Sequence, residues 1–182
     1  MIEDNIFMTD KKSATLEDYL RSSVGARRNL GPDIPVFVYR LLEYSLKEEL
    51  SSRLGHDEQT RLFRGAGARA GEYFAHSFLD LQLPLSGFAA QLSDKFRENR
   101  IGILRMESAD EATGCIVLTV SEDADCSGLP VLGEAVCNYD EGFISGILSI
   151  YTGKKYNAVE IDCWGTGDRV CRFRAEPESE DK

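Results

Sequence analysis

Four side chains toward the C-terminus have the types and spacing that metal chemistry needs: Cys137, Glu160, Cys163 and Cys171. Glu160 falls near the end of an alternating apolar segment. Cys163 opens the turn Trp164-Gly165-Thr166-Gly167-Asp168, and Cys171 sits on the returning segment. The seven residues between the two cysteines let their thiols meet across the mouth of a hairpin. In an unbroken strand, residues 160 and 163 would face opposite sides, so the strand must break at Cys163 for both to reach one centre. Cys137 stands just ahead of a helical pattern that starts near Asp140, and a helix N-terminus favours the thiolate, the form that binds metal. Three thiolates and one carboxylate form a closed four-coordinate set suited to zinc in a structural role. Such a centre is anionic, and Arg169, Arg172 and Arg174 are the cations at hand in the sequence to offset it. The competing reading makes the three cysteines small buried hydrophobes and Glu160 a solvated strand residue.

The elements that must position these residues follow from periodicity. Asp33 to Leu54 reads as a helix with Asp33 as N-cap, Pro35 in its first turn, and Val38, Leu41, Leu42, Leu46 and Leu50 on one face; Gly55 stops it. A second helix runs from Asp57 to about Leu79 and carries Gly65, Gly67 and Gly71. Glycine costs a helix about 1 kcal/mol relative to alanine, so these predict close backbone approach to another helix. A third helix covers Ser86–Asn99. Strands follow at Ile101–Glu107 and Cys115–Val120, with Ile116, Leu118 and Val120 on one face. A helix at Asp140–Tyr151 precedes the strands Tyr156–Ile161 and Val170–Ala175. Helices first, then strands with one helix inserted, is an α+β pattern with helices packed on an antiparallel sheet. The domain spans 33–176, between an N-terminal arm (1–32) and an acidic tail (177–182).

Composition sets the bounds. The 182 residues carry 31 acidic and 21 basic side chains, a formal charge of −10. That disfavours nucleic acid and anionic membrane surfaces as partners, since phosphate contacts need clustered Lys and Arg. Five cysteines, an odd number, disfavour a disulfide framework. The start Met1-Ile2-Glu3-Asp4 has no apolar signal segment, and no apolar run approaches a membrane span, so the expectation is a cytoplasmic protein. Two histidines and no readable Ser-His-Asp or Cys-His arrangement leave little for acid–base catalysis and favour a role other than enzyme. Gly65 to Gly71 is not a nucleotide loop, because no strand precedes it and no Lys-Ser/Thr follows. Cys115 reads as a strand core residue, and Cys126 as an exposed thiol in the polar loop Glu122–Ser127. His56 and His76 read as surface residues, with a ligand contact the alternative for His76. Trp164 reads equally as a turn anchor or a cover for the metal.

The run Cys137-Asn138-Tyr139-Asp140-Glu141-Gly142-Phe143-Ile144-Ser145-Gly146, then Glu160-x2-Cys163, then Gly167-Asp168-x2-Cys171-x-Phe173, closely resembles the 4-vinyl reductase domain family. The glycine-rich helix followed by Glu72 also resembles that family, and the likeness covers about residues 33–175. It implies the fold of TRAPP transport-particle subunits, a homodimer, and an apolar pocket between helices and sheet. It also implies zinc held by Cys137, Glu160, Cys163 and Cys171. Phenol-sensing members use a histidine and a tryptophan whose ungapped positions fall near Phe88 and Ile116 here, which gives no support for phenol as ligand. The expected pocket residues are Phe37, Leu41, Tyr73, Phe74, Phe88 and Ile116. The expected function is a zinc-stabilised, homodimeric sensor or carrier of a small hydrophobic molecule, with a further protein partner of unknown identity. The alternatives are a tetrapyrrole-binding accessory protein and an assembly scaffold. No dinucleotide fingerprint accompanies the domain to supply hydride for a reduction.

Overall fold

Alternating burial builds the sheet. In the computed structural model, which describes residues 13–20 and 27–179, four strands form: β1 (Ile103–Ala109), β2 (Ile116–Ser121), β3 (Tyr156–Asp162) and β4 (Cys171–Pro177). They pair antiparallel throughout, in the order β1-β2-β4-β3. Every second residue is buried on β4 (Cys171, Phe173 and Ala175), and β2 buries Ile116, Leu118 and Val120 on the same face, with Thr119 buried as well. The helices are α1 (Leu16–Leu20), α2 (Val36–Leu54), α3 (His56–Phe78), α4 (Leu85–Glu98) and α5 (Asn138–Thr152), the last inserted between β2 and β3. The chain has the α+β fold that the periodicity predicts. No helix among the described residues is long and apolar enough to cross a membrane.

The chain divides into two units at Ile34/Pro35. In the first, Thr15 and Asp18 close the start of α1 by reciprocal hydrogen bonds. The Met1–Asp4 start and the end of the acidic tail lie outside the described residues. All other elements belong to the second unit.

α5 is its centre, buried on most of its circumference. The glycine expectation holds for two of three positions. A Cβ at Gly67 would overlap the Tyr139 carbonyl oxygen, and one at Gly71 the Phe143 carbonyl oxygen. Gly142 and Gly146 of α5 meet the Arg64 and Ala68 carbonyls in the same way. Two small-residue stripes thus bring α3 and α5 into backbone contact. Gly65 faces open space.

On its other side α5 closes an edge of the sheet. The outer N–H groups of Tyr156, Ala158 and Glu160 on β3 donate to Ser149 Oγ (2.9 Å), Ser145 Oγ (2.8 Å) and Glu141 Oε1 (2.9 Å). Four helical residues rise about 6 Å and two strand residues about 6.6 Å, so the i, i+4, i+8 row of a helix can match alternate residues of an antiparallel strand. An edge that would otherwise invite another chain is satisfied internally.

α2 departs from expectation in its start and its orientation. It begins at Val36, with Pro35 rather than Asp33 as N-cap and no side-chain cap. Its apolar residues face outward: Phe37 is 69% exposed, Leu42 69% and Leu41 57%, with Val38 and Leu46 beside them. The face that packs inward is polar and includes the buried Glu43. Periodicity identifies a stripe but not which side of the helix docks.

Candidate metal centre

Each cysteine is placed by a local device. Cys137 is the N-cap of α5, and its N–H donates to Glu160 Oε2 at 3.2 Å. β3 carries a register irregularity between Glu160 and Asp162 and then ends, which lets Cys163 turn inward. A short 3-10 helix, Trp164–Thr166, follows, and Cys163 Sγ accepts the Gly165 N–H at 3.3 Å. The Cys163 N–H is met by Thr166 Oγ1 and Asp168 Oδ2. Cys171 starts β4 on its buried face, opposite Val120.

Cys126 joins them. Far from being exposed, it is fully buried. The loop after β2 is pinned by Ala124 N–H donating to the Ile101 carbonyl and Leu129 N–H donating to the Cys126 carbonyl. Arg40 of α2 donates to the Ala124, Asp123 and Ser127 carbonyls at 2.6, 3.3 and 2.9 Å. This grip turns a loop of acidic composition inward. The one sequence signal was the spacing of ten residues between Cys126 and Cys137.

The sulfurs of Cys126, Cys137, Cys163 and Cys171 all lie within 4.8 Å of one another. Cys137 Sγ is 3.9 Å from Cys163 Sγ and 3.8 Å from Cys171 Sγ. A tetrahedron with metal–sulfur bonds of ~2.3 Å has sulfur–sulfur edges of ~3.8 Å, so these two distances fit a thiolate-bound ion. Three neighbouring thiols, Cys126 first, hydrogen-bond Cys163 and hold it below the ordinary thiol range. Hydrogen bonding among the same sulfurs pushes Cys137 and Cys171 up. Burial, then the charge on Cys163, pushes Glu160 up to about 8. Its Oε1 is buried without a hydrogen-bond partner.

A second layer of carboxyls surrounds this centre. Asp123, Asp125, Asp140 and Glu141 are all buried. Burial, then the charge on Asp125, pushes Asp123 up to about 7. Burial, then the charges on Asp123 and Asp125, raises Asp140. Tyr39 donates to Asp125 Oδ1 at 2.6 Å, and Arg64 donates to Glu141 Oε2 at 2.5 Å. The arginines proposed to offset the centre are engaged elsewhere. Arg172 pairs with Glu107 and Asp162, Arg174 with Glu176, and Arg169 lies over the Trp164 ring. Trp164 is a turn anchor, donating to the Leu129 carbonyl at 2.8 Å. Cys115 precedes β2 and is half-buried rather than a strand core residue.

The expected pocket residues are dispersed. Phe88 is fully buried and stacks on Tyr151 at 3.7 Å, Phe74 packs edge-on against Phe143, and Ile116 is in the core. Tyr73 is half-buried, and Phe37 and Leu41 lie on the open face of α2. A cleft of about 180 Å3 lies beside Arg64, Glu141, Ser145 and Asn157, and none of the six lines it. His56 and His76 are exposed.

Comparison with known proteins bears on the same segment, since residues 116–177 match the model of the V-4-R (vinyl-4-reductase) domain. This stretch resembles a vinyl-4-reductase-type domain. Its bounds run from β2 to β4 and enclose all four clustered cysteines. The uncharacterized protein MJ1642 of Methanocaldococcus jannaschii is 27% identical over 144 residues, 79% of this chain and 78% of the relative. The fold around the matched segment is shared with the phenol-responsive sensory domain of the transcription activator PoxR, solved with phenol. The TM-score is 0.66 at 17% identity, over 82% of this chain and 77% of that one. It is also shared with subunit 3 of the trafficking protein particle complex of Naegleria fowleri, solved covalently bound to palmitic acid. There the TM-score is 0.58 at 13% identity, over 80% and 98% of the two chains.

Proposed function

We propose that this protein is a zinc-stabilised, non-catalytic binding module for a small hydrophobic molecule, acting as a homodimer in the cytoplasm. The observation that carries the reading is the buried cluster of thiols between β2, α5 and the β3–β4 hairpin. Thiols so placed suit a soft, closed metal site, and a filled tetrahedron leaves no position for catalytic water. The residues present fit zinc, and its contribution is to tie the loop after β2, the start of α5 and the hairpin into one unit. Two proteins of like fold carry apolar molecules, phenol in one and palmitic acid in the other. That supports an apolar ligand here, between the helices and the sheet near Phe74, Phe88 and Ile116.

The open face of α2 supports the dimer. Phe37, Val38, Leu41, Leu42 and Leu46 form an apolar stripe on an otherwise charged surface, the pattern of an interaction surface. The occupant we propose is a second copy of α2. Native mass spectrometry of the purified protein tests the reading. The expected species is a dimer with one zinc per chain and an additional small-molecule mass. A zinc-free monomer without adduct, prepared with metal supplied and no chelator, overturns it.

A further inference from the structure

Resting on the zinc reading, we infer that the ion is held by four thiolates, Cys126, Cys137, Cys163 and Cys171, with Glu160 outside the coordination sphere. The four sulfurs are mutually within 4.8 Å, a grouping that does not include the Glu160 carboxylate. Cys126 Sγ is 3.1 Å from Cys171 Sγ, well beyond a covalent S–S bond of ~2.05 Å and shorter than a tetrahedral edge of ~3.8 Å, so the two sulfurs part slightly when an ion sits between them. Four sulfurs already fill the tetrahedron that structural zinc adopts.

The position of Cys126 is built rather than incidental. Its loop is held from below by the Ile101 carbonyl and from α2 by all three Arg40 hydrogen bonds. Asp123 Oδ1 accepts the Asp125 N–H at 2.7 Å, which fixes the turn that carries Cys126 inward. Glu160 already has a role in the same region. Its Oε2 accepts the Cys137 N–H, and its own N–H donates to Glu141. It orients Cys137 from outside the coordination sphere, as partners beyond the ligands of metal sites do.

Zinc-edge X-ray absorption of the wild-type protein reads the ligand set directly, and cobalt substitution reads it again through the intensity of the thiolate charge-transfer bands. The expected result is four sulfur neighbours. Cys126→Ser should lose one sulfur and weaken zinc more than ~100-fold in chelator competition. Glu160→Gln should keep four sulfurs and lose no more than the ~10–100-fold typical of an outer partner. A wild-type shell of three sulfurs and one oxygen, changed by Glu160→Gln and untouched by Cys126→Ser, overturns the inference while leaving the zinc reading standing. A zinc-free wild-type protein overturns both. An intact mass two hydrogens light, with a Cys126–Cys171 disulfide found by peptide mapping, also overturns it. The wild-type spectrum decides the matter even where Cys126→Ser fails to fold.

Discussion

Alanine at Gly65 and at Gly71 should move stability in opposite directions, although the two positions share one helix. In an exposed helix interior Gly→Ala stabilises by about 1 kcal/mol. Gly65 has nothing within 4 Å of a built Cβ, so Gly65→Ala should gain about that amount. A Cβ at Gly71 would overlap the Phe143 carbonyl oxygen and lie 3.1 Å from the Ile147 nitrogen. Both obstacles are backbone, so no rotamer change relieves them, and α3 must move off α5. Overpacking of this kind costs typically 1–3 kcal/mol and sometimes more. Taking about 3 kcal/mol, less about 1 kcal/mol of helix gain, leaves a net loss of about 2 kcal/mol. At roughly 2–4 °C per kcal/mol for a domain of this size, Gly65→Ala should melt about 2–4 °C above wild type and Gly71→Ala about 4–8 °C below it. Thermal melts at one fixed protein concentration and metal load check both. Gly71→Ala as stable as Gly65→Ala would refute the account of the α3–α5 contact.

Ser145→Ala removes the acceptor of the Ala158 N–H and should cost about 1–2 kcal/mol, read as a shift in the urea midpoint. Leu42→Glu on the open face of α2 should give a monomer in analytical ultracentrifugation with little change in far-UV signal; an intact dimer would exclude that face as the interface. Cys163→Ala should lose zinc and folded structure together, and an unchanged melt and spectrum would count against a structural ion. Burial, then the charge on Asp125, pushes Glu43 up to about 7, against the pull of Lys47 and Arg40. A carboxyl whose folded pKa lies above its unfolded value binds more protons when folded, so its contribution to stability falls as pH rises between about 4.5 and 7. Glu43→Gln should remove that fall, seen by comparing urea midpoints of the two proteins at either end of the window.

Much of the architecture was legible because each element advertises its period. The strands showed two-residue alternation, α5 and α3 showed helical spacing, and the glycines of α3 announced a close neighbour, which two of the three, Gly67 and Gly71, have. Three cysteines were legible because the 163–171 turn and the start of α5 bring them together by local geometry. Cys126 was not legible. Its burial depends on Arg40, which is remote in sequence, reaching three carbonyls of an acidic loop. The Glu141, Ser145 and Ser149 row was hidden for a related reason. Serines and a glutamate on a helix read as solvated, and only the tertiary placement of β3 makes them acceptors.

The inversion of α2 links these observations. Tyr39, Arg40, Glu43, Tyr44 and Lys47 lie on its inward face. Arg40 holds the loop of Cys126, Tyr39 and Tyr44 hold Asp125, and Lys47 donates to the Val136 carbonyl, one residue before Cys137. One helix therefore grips both segments that deliver cysteines from outside the hairpin. Lys47 is also paired with Glu43 at 2.8 Å and lies over the Tyr44 and Phe63 rings, so an ion pair and ring contacts add to the hydrogen bonds of the grip. The opposite face of the same helix is the apolar stripe. A 19-residue helix spans about 28 Å and moves as a rod, so whatever covers Phe37, Leu41 and Leu42 shares a rigid element with the thiol cluster. A sensor needs such an element, because a binding event is transmitted only where two sites bias one structural unit. Under the proposed function α2 is that unit, joining an exposed apolar surface to the loops that position two of the clustered sulfurs.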